Sequence, residues 1–102
     1  MIGRIWHGWT TPENADAYEA LLRSEVLPAI DRVPGFLGAH LLRRDAGGEV
    51  EFVTLTLFES LDAVRAFAGE DYETAVVPPE APRLLTRFDA RSAHYEVVDA
   101  PK

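Results

Sequence analysis

An α+β fold built on an antiparallel sheet is predicted by two features of this 102-residue chain. The first is the stretch Glu51–Phe58, in which Val53, Leu55 and Leu57 point one way and Phe52, Thr54, Thr56 and Phe58 the other. Successive strand side chains face opposite sides, and here both sides are apolar or only mildly polar, as suits a central strand covered on both faces. The second is the abrupt change of period that follows. Ser60 is a good N-cap, Asp62 suits the positive end of a helix dipole, and Leu61, Val64, Phe67 and Ala68 recur at helical spacing.

The remaining elements fall in order around that unit. Ile2–Trp9 reads as a strand, with Ile5, His7 and Trp9 on one face and Arg4, Trp6 and Gly8 on the other. Thr10-Thr11-Pro12-Glu13 opens a helix: a threonine caps it, and Pro12 fits a first turn where its missing N–H does no harm. Ala15, Tyr18, Leu22, Val26 and Ile30 form its apolar stripe, and Pro28 predicts a kink near Val26–Leu27. Val33-Pro34-Gly35 ends the segment in a turn. Phe36–Arg44 is the second strand, and Asp45-Ala46-Gly47-Gly48 the hairpin loop that leads to the central strand. After the second helix, Gly69–Val77 reads as a short helix stopped by Pro78-Pro79, and Glu80–Leu85 as one further turn or two. Phe88–Val98 closes the pattern as a strand, with Ala93, Tyr95 and Val97 on one side and Ser92, His94 and Glu96 on the other.

The order β-α-β-β-α-β is the ferredoxin-like split βαβ arrangement, with sheet order 4-1-3-2 and both helices on one face. No repeat, low-complexity tract or linker interrupts it, so residues 1–102 are expected to form a single domain. The other sheet face is left open and rich in aliphatic and aromatic side chains. A soluble monomer rarely exposes such a patch, so a homodimer whose sheets close on each other is expected.

Composition removes several function classes. Seventeen acidic residues against ten basic give a net charge of −7, unsuited to nucleic acid or an anionic membrane surface. No cysteine is present, which removes disulfides, thiolate nucleophiles and cysteine-held metal centres. No apolar run approaches the roughly 20 residues of a membrane span. The first residues are strand-like and lack the apolar core of a signal peptide, so a cytoplasmic location is the expectation. Nothing resembles a phosphate loop, a serine triad or a nucleotide fingerprint.

Pro34-Gly35-Phe36-Leu37-Gly38-Ala39, Phe58-Glu59-Ser60-Leu61-Asp62-Ala63 and His94-Tyr95-Glu96-Val97 together resemble the antibiotic-biosynthesis-monooxygenase-like family of the dimeric α/β-barrel superfamily. The resemblance implies a dimer with a pocket between each sheet and its own helices. It also implies cofactor-independent oxygenation of an aromatic polyketide or quinol, or, in a related branch, haem breakdown. The chain departs from the family where Phe58 stands in place of a usual Trp, and where Ala68-Gly69 replaces a His. The haem-degrading branch uses a first-strand Asn, whereas the only Asn here is Asn14; its helical haem ligand has no counterpart either, since no histidine lies between His40 and His94. Haem breakdown is therefore disfavoured, and no cofactor is expected.

His94 and His7 are the candidate bases. They sit on adjacent antiparallel strands, where they are expected to approach each other, and an imidazole titrates near neutral pH and could take a phenolic proton. Tyr72 and Tyr95 are candidates for orienting substrate oxygens, with Trp6, Trp9 and Phe58 as apolar walls. His40, on an outer strand, is expected at a dimer contact. A three-histidine metal site would need His7, His40 and His94 to converge across several strands, and none is expected. The strand arginines Arg4, Arg43 and Arg91 either hold an anionic oxygen or pair with the excess carboxylates. The function predicted is a cofactor-independent monooxygenase acting on a small aromatic, phenolic or quinol substrate. The alternatives are a non-catalytic dimer that binds a small hydrophobic metabolite, and an isomerase or cyclase of the same superfamily.

Overall fold

The computed structural model describes residues 1–101. Strand β1 (Ile2–Thr10) leads through a 3-10 turn (Pro12–Asn14) into α1 (Ala15–Leu21), a π-turn (Leu22–Val26) and α2 (Leu27–Ile30). Strands β2 (Phe36–Asp45) and β3 (Val50–Phe58) form a hairpin, followed by α3 (Leu61–Ala68), the short α4 (Ala81–Leu84), β4 (Leu85–Phe88) and β5 (Ala93–Glu96). All pairings are antiparallel. The order is β2-β3-β1, and β4 and β5 both pair with the far side of β1. This is the expected α+β sheet, with the last strand in two pieces.

The local chemistry accounts for the element ends. Thr11 Oγ1 accepts the backbone N–H of Asn14, and Ser60 Oγ that of Ala63 at 3.2 Å, so both long helical segments begin on hydroxyl caps. The kink expected at Pro28 takes the form of the π-turn. Pro28 has no N–H to offer the carbonyl four residues back, and the Leu27 N–H reaches back five residues to Leu22 O. The β2–β3 loop turns on Gly47 and Gly48, both at positive φ.

Two segments differ from expectation. Gly69–Val77 is not helical: it is a turn at Asp71–Thr74 with an isolated bridge from Thr74 to Arg91. The strand expected over Phe88–Val98 is broken between Phe88 and Ala93. There the Ala75 N–H donates to Ala90 O and the Ser92 N–H to Glu73 O, so the 71–75 turn is laid onto the break. Both differences have one cause: the edge strand trades a continuous ladder with β1 for bonds to a loop distant in sequence.

The helices cover one sheet face through two apolar clusters. One joins Trp6, Tyr18, Leu22, Val50, Phe52 and Leu85. The other joins Ile30, Phe58, Ala63 and Val64. Among the described residues no helix covers the opposite face, which carries Ile5, Val53, Leu55, Leu57 and Tyr95.

Candidate functional site

Strand parity divides the candidate residues between the two faces. Arg4 pairs with His94 and Gly3 with Tyr95, so Arg4, Trp6 and His94 turn toward the helices, whereas Gly3, Ile5, His7, Trp9 and Tyr95 turn away. The expected approach of His7 to His94 therefore fails, because they lie on opposite faces of one sheet. His40 is exposed and borders a groove on the open face beside Leu55 and Tyr95, so the three histidines do not converge.

On the helix side a cavity of ≈ 50 Å³ lies between β1, β3 and the helical segments. Its walls are mostly apolar: Trp6, Leu22, Val26, Leu27, Ile30, Leu41, Phe67, Val76 and Val77, with Arg4, Tyr18, Thr54, Thr56 and Ser92 as the polar lining. The π-turn matters here because it contributes Leu22 and Val26 to the wall, with Leu27 directly after them. Outside it a groove of ≈ 350 Å³ shares Val26, Phe67, Val76, Val77 and Pro78 with the cavity. Those five residues form the partition between the inner space and the surface.

Arg4 is the central polar group. It is 4% exposed, and its Nη1 donates to Tyr72 O and to His94 Nε2 at 3.0 Å, while Nη2 donates to Thr74 O at 3.2 Å. Among the described residues no carboxylate pairs with it, unlike Arg43 with Asp16 and Glu19, or Arg91 with Asp71 and Glu73. Its guanidinium also lies over the Phe67 ring, 5.5 Å from the centroid. Burial pulls its pKa below the ordinary arginine value.

His94 stands behind Arg4, as seen from the cavity. A guanidinium only donates, so Nε2 is the unprotonated ring nitrogen and Nδ1 carries the hydrogen. That Nδ1 is buried without a partner, and the Tyr72 ring meets the imidazole edge-on at 5.0 Å. Burial, reinforced by the Arg4 charge and opposed by Glu73, holds the imidazole below the ordinary histidine value. Tyr18, 1% exposed, makes no side-chain hydrogen bond among the described residues, and burial pushes its phenol well above the usual value.

Trp6 lines the cavity and is fixed by its indole N–H, which donates to Asp89 O at 2.7 Å. Phe58, wholly buried, belongs to the second apolar cluster and does not reach the cavity. Tyr72 contributes its carbonyl to Arg4, while its ring packs under Arg65. On the open face Trp9 stacks on His7 and carries the Arg87 guanidinium 3.8 Å from its ring centroid. His7 Nδ1 there meets Asp89 Oδ2 at 3.1 Å. Tyr95, 58% exposed, borders the groove by His40. Tyr18 lies outside the site expected from the sequence. Tyr18 was assigned only to the helix stripe, and a stripe position carries no signal that its hydroxyl borders a cavity.

A family model described as antibiotic biosynthesis monooxygenase matches residues 1–78, and the chain belongs to that family. Among solved structures, it is similar to a Bacillus cereus protein assigned as an antibiotic biosynthesis monooxygenase, with 18% identity, 99% and 96% of the two chains covered and a TM-score of 0.68. It is likewise similar to the haem-degrader MhuD of Mycobacterium tuberculosis with two haems in its active site, with 24% identity, full coverage of both chains and a TM-score of 0.63. A third similar structure is the ActVA-Orf6 monooxygenase of Streptomyces coelicolor in complex with nanaomycin D, with 19% identity, 99% and 92% coverage and a TM-score of 0.61. At these identities the structures establish the fold. No curated protein matched the sequence. No helix among the described residues is long and apolar enough to cross a membrane.

Proposed function

We propose that this protein is a cofactor-independent monooxygenase that oxidises a small phenolic or quinol substrate in the cavity between sheet and helices. The observation that carries the reading is the cavity itself: an apolar, aromatic-walled space with a few converging polar groups, in a chain of the antibiotic biosynthesis monooxygenase family. Trp6 and Phe67 supply flat walls, Tyr18 a phenol, and His94 the base.

The chemistry balances without an external reductant. Loss of the hydroxyl proton leaves an electron-rich oxyanion, which passes one electron to O₂. The radical pair then combines to form a carbon–peroxide bond at an activated ring carbon. Loss of that carbon's hydrogen and cleavage of the O–O bond leave one oxygen as a quinone carbonyl and release the other as water. The substrate supplies all four electrons. An apolar site favours the electron transfer, because no water competes to solvate the oxyanion.

An axially ligated haem does not fit the residues present. His94 does not line the cavity and gives its Nε2 to Arg4, while His7 and His40 are on the other face. The inner space is also far below the roughly 300 Å³ at which small-molecule sites begin, so a ring must displace part of the Phe67–Val77 partition.

The protein works as a homodimer joined through the open sheet face, whose Leu42, Leu55, Leu57 and Tyr95 would otherwise stay in water. The test of the activity is oxygen uptake with hydroquinones and polycyclic phenols. The expected result is saturable consumption of one O₂ per quinone formed, with no added cofactor. Saturable binding without uptake would instead identify a metabolite-binding protein or an isomerase.

A further inference from the structure

We infer that the cavity binds its substrate as an oxyanion, held on the N–H groups of Arg4 that the protein leaves unused; the inference deepens the monooxygenase reading and rests on it for the identity of the anion as a phenolate. A guanidinium has five N–H donors. Tyr72 O, Thr74 O and His94 Nε2 account for one each. The acceptors are two carbonyls and a neutral imidazole, so the hydrogen bonding is partly satisfied and the charge is not. A cation this far from water is stabilised by an anion, and none is built in.

The surroundings leave that place to a ligand. Of the charged and titratable groups packed near Arg4, Glu73 is exposed and pairs with Arg91, and Arg65 lies over the Tyr72 ring. Tyr18 faces the cavity as a neutral phenol, because burial raises its pKa. His94 is the remaining group, and it is neutral while it accepts from Arg4.

The same geometry couples binding to proton removal. An arriving phenol oxygen settles on the free Nε and Nη2 hydrogens of Arg4 and draws the guanidinium away from His94. As Nη1 draws back, the lone pair of His94 Nε2 is released and takes the phenolic proton through one water, since His94 itself does not line the cavity. The product of that exchange is an imidazolium beside a phenolate–guanidinium pair, with total charge unchanged.

The test compares the binding of 4-nitrophenol and of 4-nitroanisole, its methyl ether, by calorimetry at a pH where the phenol is ionised. Neither probe is an easily oxidised quinol, so the result is independent of oxygen uptake. The phenolate is expected to bind roughly 10–100-fold more tightly than the ether, the range of a charge-assisted hydrogen bond. In the same titration the Nε–H resonances of Arg4 and Trp6 shift and that of Trp9 does not. Arg4→Gln abolishes the preference; should that variant not fold, the ratio in the native protein decides alone. Equal or tighter binding of the ether, no binding of either probe, or shifts confined to Trp9 would each overturn the inference. Failure of quinol oxidation would overturn only the function.

Discussion

Arg4 on β1 and His94 on β5 stand opposite each other in the sheet, and the guanidinium of the first donates to Nε2 of the second at 3.0 Å. The bond requires a neutral imidazole. Because the native pKa of His94 is depressed, the unfolded chain binds its proton at about pH 6.5, before the native protein does. Between those two values the unfolded state holds more protons, so this contribution to stability is complete above about pH 6.5 and is lost as pH falls toward the native pKa. Urea unfolding at about pH 7.5 and about pH 5.5 should show a larger loss for the native protein than for His94→Gln. An identical loss in both proteins would remove His94 from the account.

Gly35 sits at φ +88, and an added Cβ would fall 2.6 Å from Ala63 Cβ. Its carbonyl also accepts the Glu59 N–H at 2.8 Å, tying the start of β2 to the start of α3. Gly35→Ala should therefore cost about 2–3 kcal/mol, from backbone strain and overpacking together. Gly38→Ala, with nothing within 4 Å, should stay within about 0.5 kcal/mol. Thermal melts of the two variants make the comparison.

Phe67 belongs to the partition between the inner cavity and the outer groove. Phe67→Ala should join the two spaces and shift preference toward polycyclic over single-ring ligands by roughly tenfold in relative affinity. Competition binding would read this, and an unchanged ratio would mean that ligands enter elsewhere.

Leu55 lies on the open face, within the groove bordered by Ile5, His40 and Tyr95. Leu55→Glu places a charge in the proposed dimer interface, and sedimentation velocity should find a monomer where the native protein is a dimer. A monomeric native protein would refute the paired-sheet assembly.

Much of the fold was legible because the strongest local signals agree with the tertiary structure. The alternation in β1 and β3, the caps at Thr11 and Ser60, and the glycines of the β2–β3 loop each have a counterpart in the structure. The Gly69–Val77 segment misled because its residues are compatible with a helix, and the competing bonds come from Ala90–Ser92, far along the chain. The site was half legible. Which face His94 shares depends on pairing parity, and a slip of one residue would have placed it with His7. Arg4 was visible as a strand arginine, but only the structure shows that the carboxylates expected to neutralise it belong to Arg43 and Arg91.

The broken edge strand has a consequence for synthesis. β1 leaves the ribosome well before its outer partners, residues 85–88 and 93–96. Arg4 meets His94 across 90 positions of sequence. Pairings of such separation form late, because a long loop must close before any contact rewards it. The β2–β3 hairpin can assemble during translation, but the cavity wall around Arg4 waits for β5. A nascent chain stalled before Ala93 would hold a hairpin and an uncovered β1 edge, and would depend on chaperones to keep that edge from pairing with a neighbour.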